Sequence, residues 1–229
     1  MKTLVIMVAF ATLASAAELP LQPVSDPRPI LQALQRQLSS AGSVYLELIQ
    51  ERQLKLFAEP LRNEGCMLIE PPDRIRWETV APYQSILLGN HQAVAQFERT
   101  GGVWKKLQLG FPQLLRHVME QMVQMHQGKL DALTSDYTVS VATNSVAAVV
   151  TLVPKDRAAR ELMSAVELRL LPDLSAIREV VLKEPGGDQT RIIFGQERRA
   201  VRFPARPDSQ VDGEIKSLPL PLPTVCTAT

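Results

Sequence analysis

Catalytic chemistry is the first thing this sequence lacks. Its 229 residues include three histidines, His91, His117 and His126. There is no Gly-x-Ser-x-Gly elbow, no glycine-rich phosphate loop and no HExxH pair. The 24 acidic residues are scattered, so a carboxylate dyad has no pattern to support it. Charge is also missing in net terms, at +1 over the whole chain with no basic runs, which argues against nucleic acid as a partner. Cysteine is limited to Cys66 and Cys226. They form a possible disulfide rather than a disulfide framework, and sequence does not supply the Cα distance a bridge requires. Beyond the N-terminus, no apolar run approaches the ~18 residues that would span a bilayer.

The N-terminus has the layout of an export signal. In MKTLVIMVAFATLASAAELP, Lys2 precedes an apolar stretch from Leu4 to Leu13, and Ala14-Ser15-Ala16-Ala17 supplies small residues for cleavage. A cut after Ala17 makes residues 1–17 the signal peptide and leaves 229 − 17 = 212 residues. No cysteine follows the cut, so no lipid anchor is expected, and the mature protein is expected to be exported, soluble and unanchored. Residues 18–205 are read as one domain and 206–229 as a Pro-rich tail carrying LPLPLP at 218–223.

Hydrophobic periodicity organises the domain. Residues 26–40 place Ile30, Leu31, Leu34 and Leu38 on one helical face, with Asp26 before Pro27 as a start signal. A second helix runs from Phe111-Pro112 to Gly128. Between them, and again after Tyr137, short alternating segments punctuated by Pro-Pro, Ala-Pro, Gly-Asn and Pro-Gly-Gly-Asp predict antiparallel strands. AARELMSA is a short helix or a lid-like connection. The expectation is a β-dominated domain whose helices cover one sheet face.

The second helix contains HVMEQMVQMH, residues 117–126, and poses a choice. Thioethers between histidines suit Cu(I). However, a helical residue advances about 100°, so steps of three turn back by about 60° each and spread Met119, Met122 and Met125 over an arc. That arc continues the apolar face of Leu114, Leu115 and Val118. An apolar, adaptable methionine face is therefore preferred to a metal site, and no metal or cofactor is expected.

The ordered block LIQERQLKLFAEPLRNEG followed by IEPPDRIRWETVAPYQSILL resembles the outer-membrane lipoprotein carrier (LolA) family. Gln50, Pro60-Leu61, Gly65, Pro72, Arg76-Trp77, Pro82 and Ser85-Ile86-Leu87 carry the resemblance, joined by Leu152-Val153-Pro154-Lys155 and Gly187-Asp188-Gln189-Thr190. It implies an α+β, mainly β fold: an incomplete antiparallel β-barrel, or half-barrel, covered by amphipathic lid helices. It implies a non-enzymatic, monomeric carrier of lipoproteins or another acylated or lipid cargo. Such a carrier loads at an inner-membrane transporter and delivers to an outer-membrane acceptor. Under this resemblance the apolar cavity and lid are assigned to Leu31, Leu34, Leu46, Leu48, Met67, Ile69, Trp77, Ile86, Leu88, Leu115, Val118, Met119 and Met122. Ile75 and Trp77 share one strand face and Arg74 and Arg76 the other. For Met67 and Ile69 against Cys66 and Leu68, alternation alone does not choose the inward pair. Pro71 stands where the family commonly places a lid-closing arginine, which makes Arg74 and Arg76 the substitute candidates. That departure, AVAQFE in place of an aromatic-rich strand, and the methionine-rich helix fit a divergent paralogue. The alternative function is an envelope-stress sensor or regulatory lipid-binding protein, and the third is a copper-binding protein using the Met/His helix.

Overall fold

The computed structural model describes residues 20–39, 42–90, 92–109, 112–129, 131–199 and Cys226. The signal-peptide expectation and most of the proline-rich tail lie outside these residues. In chain order the elements begin with β1 (Gln22–Pro23), α1 (Arg28–Ser39), β2 (Val44–Gln53), β3 (Leu61–Glu70), β4 (Arg74–Ala81) and β5 (Ser85–Gly89). They continue with β6 (Val94–Thr100), β7 (Val103–Leu107), α2 (Pro112–His126), α3 (Asp131–Asp136), β8 (Tyr137–Thr143) and β9 (Ala148–Pro154). The last are α4 (Arg157–Leu162), β10 (Ala165–Leu170), β11 (Ile177–Lys183) and β12 (Gln189–Arg199). No helix among the described residues is long and apolar enough to cross a membrane.

Among the described residues all twelve strands belong to one antiparallel sheet in the order β1-β8-β9-β10-β11-β12-β2-β3-β4-β5-β6-β7. The pairing of β12 with β2 joins the C-terminal half of the sheet to the N-terminal half. The sheet does not close, since β1 and β7 remain its edges. A sheet this wide cannot stay flat and curls, which gives the expected half-barrel with helices over its inner face. Segments 71–72 and 81–82, predicted as punctuation, are both cis X-Pro bonds that separate β3, β4 and β5.

Register fixes which residues share a face. Across the N-terminal half, Leu46, Met67, Trp77, Leu87 and Gln96 stand opposite one another in turn. Across the C-terminal half the corresponding inner row is Val141, Val150, Leu168, Val180, Ile192 and Gln50. The helices complete the enclosure. On α1, Leu34 and Leu38 are buried in the core, and the Asp26 carboxylate accepts from the Arg28 N–H at 3.1 Å at the helix start. On α2, Met119 and Val123, one turn apart, are buried in that core. Gly128 (φ 70°) ends α2, with the Gly128 and Lys129 N–H groups donating to the Met125 and Gln124 carbonyls at 3.0 and 2.9 Å. This closure needs the left-handed conformation that glycine tolerates.

Candidate ligand cavity

Between α2 and the inner sheet face lies a cavity of about 400 Å³, within the range of ~300–1,000 Å³ usual for small-ligand sites. Its apolar wall comes from both halves of the sheet. Trp77 and Leu87 contribute from β4 and β5, and Leu152, Val166, Val180, Leu182 and Ile192 from β9 to β12. Met122 and Met125 of α2 form the roof, with Met163 and Tyr83 at the sides. Period-two alternation puts these strand residues on one face, and the three-residue step from Met122 to Met125, just under one helical turn, keeps both side chains at the cavity. The same wall carries Gln50, Thr79, Ser85, Gln96, Gln121, Tyr137 and Thr190. No charged side chain lines it among the described residues.

The roof helix is tied to each half of the sheet. Toward the C-terminal half, the Tyr137 hydroxyl donates to Gln121 Oε1 at 2.8 Å. Burial pushes this phenol above its ordinary range, although the bond to Gln121 works in the opposite direction. Toward the N-terminal half, Gln127 Nε2 donates to the Pro72 carbonyl at 2.6 Å. Gly89 also matters here. A Cβ at that position would lie 2.4 Å from Met119 Cε and 2.8 Å from its Sδ, so the missing side chain admits the methionine to the sheet surface.

The residues assigned from sequence are distributed over three environments. Trp77 and Met122 line the cavity. Leu46, Leu48, Met67, Ile69 and Met119 do face inward but belong to the closed core, off the cavity wall. Leu31 and Leu34 border a separate void of about 10 Å³ beneath α1. The side chains of Leu115, Val118, His117 and His126 lie outside the described residues.

Two assignments are corrected. Ile86 and Leu88 point to the outer face, where they pack with Ala95, Phe97 and Trp104, because Leu87 between them takes the inner position opposite Trp77. Arg76 does not close the lid either. It is buried on the outer face, donating from Nε to Glu78 Oε1 at 2.6 Å, because it alternates with the inward Ile75 and Trp77. Arg74 also shares that face and pairs with Glu70, four residues earlier across the β3–β4 turn. The outer face also holds the Cys66–Cys226 disulfide, with a Cα–Cα distance of 5.6 Å. The Cys226 N–H donates to Glu78 Oε2 at 3.1 Å. Cys66, Glu78 and Cys226 are close enough to suggest metal ligands, but both sulfurs are consumed in the disulfide.

Sequence reasoning missed the polar side chains of the cavity and both helix ties. A signal for two of them was present: Thr79 is two residues beyond Trp77 and Ser85 two before Leu87, hence on the same face.

The family model described as outer membrane lipoprotein carrier protein LolA matches residues 40–206. Among solved structures, the LolA superfamily protein NE2245 from Nitrosomonas europaea is 10% identical, with a TM-score of 0.45 over 79% of this chain and 96% of that one. LprF from Mycobacterium bovis is 12% identical, with a TM-score of 0.44 over 80% of this chain and 98% of that one. The MucA/MucB complex of Pseudomonas aeruginosa contributes a chain 17% identical, with a TM-score of 0.43 over 81% of this chain and 61% of that one. No curated protein sequence matches significantly.

Proposed function

This chain belongs to the outer membrane lipoprotein carrier protein LolA family, and from that premise we propose that it is a periplasmic, non-enzymatic carrier. It takes the acyl chains of a lipoprotein or another lipid-like cargo into the cavity under α2 and shields them from water between inner and outer membrane. The observation that carries this reading is the apolar cavity of about 400 Å³, walled by both sheet halves and roofed by Met122 and Met125. Each methylene removed from water contributes about 0.8 kcal/mol, so a chain-sized apolar space is what such a cargo requires. Release demands a wall that repacks. Flexible methionines and a helix held by a few hydrogen bonds meet that demand better than a rigid, branched surface.

The test is native mass spectrometry on protein isolated from the periplasm, followed by displacement of a fluorescent fatty acid. Bound lipid or acylated peptide, and saturable displacement, are the expected results. Protein that is consistently empty and binds no fluorescent fatty acid overturns the proposal.

A further inference from the structure

Within the carrier reading, on which this inference rests, the polar residues of the cavity restrict the kind of cargo. They are not scattered. Thr79 on β4 and Ser85 on β5 stand directly opposite each other. Gln96 on β6 is diagonal to Ser85, two residues from the partner position Glu98. On the other side, Thr190 of β12 is diagonal to Gln50 of β2, two residues from the partner position Ile192. Diagonal neighbours on one face lie within ~7–8 Å, a distance side chains bridge. The gap between Gln50 and Thr79 is occupied by β3, where Gly65 stands opposite both Leu48 and Thr79. A Cβ on Gly65 would lie 1.9 Å from the Glu78 carbonyl oxygen, so no side chain interrupts the band there. The result is a neutral polar band crossing β12, β2, β3, β4, β5 and β6.

The band is also without partners of its own. Thr79, Ser85 and Thr190 are more than nine-tenths buried, at 7, 7 and 8% exposure. Among the described residues their hydroxyls accept or donate no hydrogen bond within the protein, yet they are not sealed off, since each lines the cavity. Buried hydroxyls left in this state cost stability unless something supplies partners. Hydroxyl and carboxamide groups can donate to a carbonyl oxygen or accept from a hydroxyl or amide N–H. They cannot neutralise a carboxylate, and no cationic side chain lines the cavity among the described residues. An anion placed here would lose its hydration without a counter-charge.

We propose that the cavity selects long-chain acyl esters and amides, whose uncharged carbonyl groups pair with the band of Gln50, Thr79, Ser85, Gln96 and Thr190, over free fatty carboxylates of the same chain length. The full mature chain is titrated at pH 8 with the neutral fluorophore N-phenyl-1-naphthylamine bound. Its displacement is followed with 1-palmitoylglycerol, an N-palmitoyl peptide and palmitate. The ester and the amide are expected to bind about tenfold or more tightly than palmitate, whose carboxylate can accept the same hydrogen bonds but sheds its hydration without a counter-charge. A stronger preference for the peptide identifies lipidated protein as the source of the cargo, and one for the glyceride a free neutral lipid. Thr79→Val, Ser85→Ala and Thr190→Val combined should bring the three ligands together while fluorophore binding persists. If that triple variant does not fold, Gln96→Leu, at a half-buried position, should narrow the gap in the same direction. Equal or tighter binding of palmitate, or an unchanged gap in a folded variant, overturns the selectivity and leaves the carrier reading standing. No binding of fluorophore or of any of the three ligands overturns both.

Discussion

On β2 to β5 the outer sheet face buries Tyr45, Cys66, Leu68, Ile86 and the Arg76–Glu78 pair, whereas on β10 to β12 the same face carries Glu167, Arg169, Glu179 and Arg191 in a ladder whose cations reach water above largely covered carboxylates. In the first half the Arg76–Glu78 ion pair is sealed at 5 and 0% side-chain exposure and ties the Cys226 backbone to the sheet. In the second half Arg191 grips Glu179 with two bonds of 2.9 and 3.1 Å and reaches Glu51 at 3.1 Å. There the cations stay wet, with Arg169, Lys183 and Arg191 side chains 43, 42 and 39% exposed. The same inner face is thus backed by two different outer faces, one dry and cross-linked, the other solvated. Burial makes the partner of a charge hard to replace, and exposure makes it nearly dispensable.

The largest effect should come from the dry side. Glu78→Leu takes the carboxylate from an arginine that is 4% exposed and the acceptor from the Cys226 N–H. Breaking a buried pair from one side costs about 3–5 kcal/mol. Urea unfolding should show that loss, and Arg76→Met combined with Glu78→Leu should restore most of it. A single variant as stable as wild type would erase the distinction between the two outer faces.

The wet side should give less. Arg191→Met is expected to cost about 1 kcal/mol at pH 7, because Arg191 itself is 39% exposed and Arg169 still stands 3.8 Å from the buried Glu179 carboxylate, and more at low salt than at high salt. The bonds from Arg191, ahead of the nearby Arg169 charge, hold the Glu179 carboxyl below its ordinary value of 4.5, against the opposing effect of burial. A depressed carboxyl stabilises the fold fully above the unfolded value and loses that contribution as pH falls through the lower, folded one. Unfolding free energies measured below pH 4.5 should therefore decline in wild type and decline less in Arg191→Met. A loss of several kcal/mol at pH 7 would mean that this ladder behaves like the buried pair.

The same contrast explains what could be read from sequence. In β10 to β12 the outward Glu167, Arg169, Glu179 and Arg191 alternate with inward Val166, Leu168, Val180 and Ile192, so the charged residues declare the direction. In β3 to β5 both faces are apolar, and Ile86 and Leu88 look as inward as Leu87. Alternation there gives two faces but not their orientation, so the sequence separates Arg74 and Arg76 from Ile75 and Trp77 correctly, yet does not show that Ile86 and Leu88 face outward or that Arg76 is sealed away from the lid. The two cover helices were legible because only one stripe of each is apolar: Leu31, Leu34 and Leu38 on α1, Met119, Met122 and Val123 on α2. The polar band hid for the converse reason. Threonine, serine and glutamine in a strand suggest the solvated face, and only their spacing from Trp77 and Leu87 contradicts that.

The smallest effect lies where the two halves share one roof. α2 reaches the N-terminal half through Gln127 and Met119, and the C-terminal half through the Tyr137–Gln121 hydrogen bond. Tyr137→Phe removes that bond and little volume, and its cost to global stability should be about 0.5–1.5 kcal/mol. Opening of the roof is the more sensitive readout, because it depends on the few contacts of α2 rather than on the whole fold. Amide hydrogen exchange in residues 117–126 should quicken about tenfold, the equivalent of ~1.4 kcal/mol, while exchange in β2 and β12 stays unchanged. Pro72 contributes a backbone carbonyl, so the opposing tie is tested at Gln127→Leu. If Gln127→Leu alone frees the helix and Tyr137→Phe does not, the roof hangs from the dry, cross-linked half and swings over the solvated one. If only Tyr137→Phe frees it, the hinge lies on the other side.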